Sequence, residues 1–230
     1  CSPDASRSSG LHPSTIFWGI GSHELGMERN IAPFEEVVTF HGHACPGLAI
    51  GYRAACAALQ ALSVERPVDE ELVAIVENDA CGIDAIQFVA GTTMGKGNLI
   101  FRDYGKRAWT FINRRTGKAI RVAEKPDFFE KKADPRLADL RRKVMAGAAT
   151  TGEQQEYSLL SERYIRGLLS YPAEEMFTTR EVAAPVPEHA RIFRSVTCAS
   201  CGESVSESRA RVKDGKIVCI PCHDHYTRGW

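Results

Sequence analysis

Three side chains able to ligate a soft metal or to act as nucleophiles stand at alternate positions in FHGHACPGLAIGYRAA, residues 40 to 55: His41, His43 and Cys45. In an extended segment, a spacing of two turns all three to one side, where imidazole nitrogens and a thiolate could share one ion or one substrate. Pro46 suits the first turn of a helix, which lacks no donor there. Cys45 then falls at the N-cap, where the positive helix end favours the thiolate. A second thiol repeats the placement. ELVAIVEN, residues 71 to 78, reads as a buried β-branched strand, IDAIQFVAG as a helix, and Cys81 lies at the junction between them. The candidate catalytic groups are Cys45, His43, Cys81 and Asp79; the candidate ligands of a core ion are His41, His43 and Cys45, with Cys81 a possible fourth group. Glu77 and Asp79 share the strand end, where a general base is useful. The competing reading makes the histidines backbone-bonding residues of a tight turn and the thiols inert core. Cys56, set among alanines, is read as core.

A second constellation is GKGN, residues 95 to 98, which has the look of an anion-cradling turn but not the spacing of a Walker motif. Lys96, Asn98 and Lys106, with Asp103, either orient a substrate or form the exposed face of a hairpin. The third is the strongest by spacing. Cys198-x-x-Cys201 and Cys219-x-x-Cys222, separated by 17 residues, match a structural zinc site of four thiolates. Four sulfurs close the coordination sphere, so this ion is read as structural. His223 and His225 could replace a ligand, but solvated residues are the preferred reading. Arg191, Arg194, Arg209, Arg211 and Lys213 make the segment locally basic, which a solvated face explains as well as a binding surface.

The elements that must position these groups follow from pattern. FEEVVTF reads as helical, and residues 47 to 62 as a helix of small apolar residues that lets other backbones approach closely. NLIFRDYG, AWTFINR and KAIRV read as strands of a hairpin or meander, turning at Arg115, Thr116 and Gly117. Residues 134–147 and 153–170 are helical in period, and 177–183 a further strand. APVPEHA, residues 184–190, is the boundary, since two prolines disfavour helix and ladder alike. The expected organisation is an N-terminal extension over 1–26, an α+β core of mixed helix and sheet over 27–183, a linker over 184–190 and a small zinc ribbon over 191–230.

Composition sets outer limits. The chain has 230 residues, 43% hydrophobic, with 29 basic and 29 acidic side chains. Formal neutrality argues against a nucleic-acid or anionic-membrane partner, and no apolar run approaches the ~20 residues that cross a bilayer. Paired C-x-x-C motifs in a chain of this size speak for metal and a reducing compartment, hence a cytoplasmic protein, although the start at Cys1 leaves export or lipidation open.

The run FHGHACPGLAIGYRAA followed by ENDACGIDAIQFVAGTTMGKGNLIFRDYGK resembles the FmdE family, named for a component of molybdenum or tungsten formylmethanofuran dehydrogenase; the likeness covers residues 34 to 180, and the four-cysteine tail is similar to that of many members. The resemblance implies an α+β core, an intertwined homodimer, and a pocket with His43 and Cys45 foremost, then His41, then Cys81 with Asp79, completed by Lys96, Asn98 and Lys106. It also implies zinc in the tail and a second metal ion in the core. No pterin-binding body or iron–sulfur motif is recognisable. The leading expectation is therefore an accessory protein for molybdenum or tungsten enzymes or their maturation factors, handling metal, sulfur or a small-molecule intermediate. The alternatives are a zinc-dependent hydrolase or deformylase, suited by three ligands and an open position, and a regulatory or binding module acting through the ribbon.

Overall fold

A computed structural model describes residues 31–224 and Tyr226. The expected N-terminal extension, 1–26, and His225 lie outside the described residues. The chain divides into two compact units between Glu188 and His189.

In the first unit the order is α1 (Phe34–His41), α2 (Pro46–Leu62), β1 (Leu72–Val76), α3 (Gly82–Ala90), β2 (Leu99–Phe101), β3 (Ala108–Asn113), β4 (Ala119–Glu124), α4 (Phe128–Lys132), α5 (Pro135–Met145), α6 (Thr151–Ser170), α7 (Ala173–Met176) and β5 (Phe177–Glu181). The strands form one sheet in the order β2-β1-β3-β4-β5. β3 and β4 make the expected hairpin, with Trp109 opposite Val122. β2 departs from the meander: it runs parallel to β1 at the sheet edge, with Ile75 opposite Ile100, and β3 takes the other side of β1. The cause is α3. A helix between β1 and β2 is the crossover that a parallel pair requires, whereas a short turn would have made them antiparallel.

One sheet face carries the main core. Ala74, Val76, Phe111 and Val122 meet Leu48, Ala55, Leu59 and Ile86 of α2 and α3, and Ile165 and Leu168 of α6. Burying a side chain such as Leu59 contributes about 2 kcal/mol. The other face is a smaller cluster of Val73, Ile75, Ile112 and Ala119, onto which Val182 and Ala184 pack. Arg114 donates through Nη1 to the carbonyl of Pro187 and through Nη2 to that of Glu188 (3.1 Å). The stretch expected as a linker over 184–190 is thus tied to the sheet at Pro187 and Glu188.

α2 and α3 pack more closely than ordinary side chains allow. A Cβ built on Gly51 would lie 2.2 Å from the carbonyl oxygen of Gly82, and one on Gly82 3.0 Å from that of Gly47. These glycines bring the N-terminal ends of two helices, and hence Cys45 and Cys81, side by side. α5 packs on α6, and α6 on α2. Asp134 caps α5, and Thr150 with Glu153 forms a capping box on α6.

The second unit consists of β6 (Ser195–Thr197), β7 (Ser204–Ser206), β8 (Arg211–Lys213) and β9 (Lys216–Val218), paired as two antiparallel hairpins. Asp214 (φ 50°) and Gly215 (φ 75°) turn the second hairpin, both in the left-handed region that a tight two-residue turn requires.

Candidate metal centre

His41, His43 and Cys45 converge, each offering one ligand atom within 4.8 Å of the others. The extended segment expected from their alternation is not how this is done. His41 is the last residue of α1, Gly42 reverses the chain at φ 96°, and Cys45 is extended, as the N-cap of α2. A helix end and a left-handed glycine fold the three residues inward more tightly than a strand would. The two imidazoles lie 4.6 Å apart at 34°.

Nδ1 of His41 is 2.7 Å from Oδ2 of Asp84, in the first turn of α3. A carboxylate only accepts, so Nδ1 is the donor, and in the neutral ring the lone pair is on Nε2. That Nε2 is buried and has no hydrogen-bond partner. A basic nitrogen left in this state, beside a second imidazole and a thiol, fits a metal ligand better than a turn residue, whose nitrogen would be bonded to backbone. Asp84 escaped the sequence reading. Its signal was a carboxylate three residues after Cys81 in a largely apolar helix, favoured there by the helix dipole.

Cys45 accepts a hydrogen bond at Sγ from the Leu48 amide at 3.3 Å, the N-cap contact that the proline predicted. The expected acidification does not follow. Burial pushes the thiol up to about 11, against the pull of the Leu48 amide and reinforced by the neighbouring Cys81 thiol. Desolvation outweighs the helix end, and ligation to a cation is what removes such a proton. Cys81 is exposed at the start of α3 and makes no cap bond. Cys56 is buried.

Beside the cluster opens a cleft of about 420 Å³ at the C-terminal ends of the parallel strands, lined by His41, Asp79, Cys81, Asp84, Met94 and Phe101 among others. Asp79 therefore borders the site. Glu77 does not, because Arg121 grips both its oxygens at 2.5 and 2.9 Å and holds its carboxyl below the usual range.

Lys96, Asn98 and Lys106 lie outside this cleft. Lys96 Nζ donates to the carbonyls of Gly91 (2.5 Å) and Asp69 (3.2 Å). Asn98 is completely buried, accepting from the Thr93 amide and donating to the Leu72 carbonyl. Lys106 lines a separate depression with Arg107 and Arg121, while its backbone carbonyl accepts from Asn78. The apparent anion turn is a loop that holds itself to the sheet, with the side-chain polar atoms of Lys96 and Asn98 bonded to backbone.

In the second unit Cys198, Cys201, Cys219 and Cys222 bring their sulfurs within 4.8 Å of one another. The Cys219 amide donates to Cys198 Sγ at 3.3 Å, and amides, those of Cys201 and Cys219 foremost, hold that thiol down to about 6. Four convergent sulfurs with backbone donors fit a tetrahedral zinc ion. His223 follows Cys222 and is not among the clustered ligands.

A family model described as FmdE, molybdenum formylmethanofuran dehydrogenase operon, matches residues 40–178. The chain belongs to the FmdE family. Residues 191–228 match the prokaryotic dksA/traR C4-type zinc finger, so the expected ribbon is a C4 zinc finger. Among curated proteins this FmdE chain is 34% identical over 227 residues to a probable S-adenosyl-L-methionine-binding protein of Archaeoglobus fulgidus, an alignment covering 93% of the chain and 60% of that relative's length. Among solved structures it shares the fold of a tungsten formylmethanofuran dehydrogenase FmdE-like protein from Syntrophus aciditrophicus, at a TM-score of 0.55 and 24% identity, over 84% of this chain and 95% of that one. Among the described residues no helix is long and apolar enough to cross a membrane.

Proposed function

We propose that this FmdE chain is an accessory protein of formylmethanofuran dehydrogenase systems that holds a metal ion at His41, His43 and Cys45 and presents it to a small molecule in the adjoining cleft. The observation that carries the reading is the buried, unpartnered Nε2 of His41 beside a second imidazole and a thiol. Two imidazoles and a thiolate suit zinc or a similar borderline-soft ion, and three protein ligands leave a coordination position free. The ion would supply Lewis acidity there. This chain's residues do the rest: Cys81 and Asp79 border the cleft as a second thiol and a carboxylate, and Met94 and Phe101 provide apolar wall. Metal delivery, sulfur handling and hydrolysis of a formyl group all start from this arrangement, and the family's operon association supports the first two. A homodimer and a molybdenum or tungsten enzyme as partner belong to the same proposal.

The test is metal content. After equilibration with zinc and desalting, the full chain is expected to hold an ion in addition to the finger's zinc, and His43→Ala combined with Cys45→Ser is expected to remove that ion while the finger keeps its own. Equal zinc in parent and variant would remove the core centre.

A second reading has the cleft hold an adenosyl-type ligand, as the description of the Archaeoglobus relative suggests for that protein. The cleft's volume and its apolar wall with two carboxylates support it. Calorimetric titration of the full chain with S-adenosylmethionine decides; absence of heat at millimolar ligand rejects this reading and leaves the first untouched.

A further inference from the structure

We infer that Asp84, itself steadied by Gln87, is the positioning residue of the core centre, fixing the tautomer and orientation in which His41 presents Nε2 to an ion. The inference rests on the metal reading above. Its observations concern the far side of the His41 ring, away from the clustered ligand atoms. Gln87 Nε2 lies 3.4 Å from Asp84 Oδ1, and Asp84 Oδ2 lies 2.7 Å from His41 Nδ1, so a relay runs from the body of α3 to the end of α1. α1 carries the ligand and α3 carries the carboxylate, so the contact joins a side chain of each helix.

The carboxylate is the group that does this. It accepts only, so Nδ1 must be the donor and Nε2 the lone-pair nitrogen. An amide at the same position can turn its NH₂ toward Nδ1, and the proton then moves to Nε2, where it blocks ligation. An alanine leaves the ring free to turn. Neither change replaces a ligand, and the Asp84 side chain is 40% exposed.

The experiment is a Co²⁺ titration of the full chain followed by absorption, with the Cys45→Ser spectrum subtracted to isolate the core site. Asp84→Asn and Asp84→Ala are each expected to weaken Co²⁺ binding by about 10- to 100-fold, the usual effect of losing the partner of a ligating histidine. At saturating Co²⁺ the thiolate-to-metal band of Cys45 is expected to persist while the ligand-field bands shift, because His41 alone is displaced. Melting temperature and finger zinc should stay at parental values, which separates positioning from folding. If the parent binds Co²⁺ and both variants bind it as tightly with the same bands, Asp84 does not position the ligand and the metal centre stands without it. If the parent gives no core signal, the metal reading itself falls.

Discussion

Asn98 uses both ends of its amide, Oδ1 for the Thr93 N–H and Nδ2 for the Leu72 carbonyl, in a completely dry position. Truncation leaves two buried backbone groups without partners, each costing about 1–3 kcal/mol. Asn98→Ala is therefore expected to lower the unfolding free energy by about 2–6 kcal/mol in urea titration. Metal uptake in the variant that remains folded should be unchanged; lost uptake at parental stability would put Asn98 in the site after all. The same residue marks a limit of reading a sequence. Gly95 to Asn98 have the types of an anion turn, and only the fold reveals that their polar atoms are bonded to backbone at Leu72, Gly91 and Asp69. Asp84 is the opposite case. A carboxylate in a helix's first turn draws no notice until α1 and α3 are neighbours and His41 is found against it. His43, Cys45 and the four finger cysteines were legible because their partners stand within a few residues or at a fixed motif spacing.

At the scale of elements, what could be read was local and what could not was pairing. Pro46 after Cys45 announced the start of α2, and the β-branched run announced β1. The parallel seat of β2 beside β1 depends on α3 packing back over the sheet, a long-range event that three strand residues do not encode. The close contact of α2 with α3 is in the sequence as Gly47, Gly51 and Gly82, but small residues in a helix specify no partner. Gly51→Ala tests whether this contact builds the site. Its Cβ would meet backbone at 2.2 Å, so the helices must separate. Overpacking of this kind costs about 1–3 kcal/mol. Separation also moves α3, and Asp84 with it, away from His41, so weaker core-metal binding should accompany the lower melting temperature. Gly95→Ala is the control, having nothing within 4 Å of the added carbon. If Gly51→Ala lowers stability and leaves metal affinity at the parental level, the glycine contact supports the fold alone.

Across the whole molecule, two units obtain their stability by different means. The first has a layered core of helix on sheet, with side chains such as Phe111, Leu48 and Leu168 fully buried. Among its described residues the second buries only Cys198, Val218 and Cys219, with Val205 and Cys222 packed against them, and three of those five residues are thiols of the metal cluster. So small a core cannot offset the conformational entropy of ordering about 40 residues, whereas zinc bound to four thiolates supplies about 10–16 kcal/mol in comparable peptides. Folding of the second unit is thus expected to be conditional on metal, and that of the first is not. A chelator strong enough to strip four-thiolate zinc should collapse the amide NMR dispersion of Val196, Val205, Val212 and Val218. Resonances of Val73, Phe111 and Val122, which lie in the sheet of the first unit, should keep their positions and their slow hydrogen exchange. Re-adding zinc should restore the finger signals in full, since no covalent change is involved. Loss of the sheet resonances together with those of the finger would mean that the first unit also needs an ion to fold. The core centre would then be a structural element, contrary to the open, substrate-facing role argued from His41, His43 and Cys45.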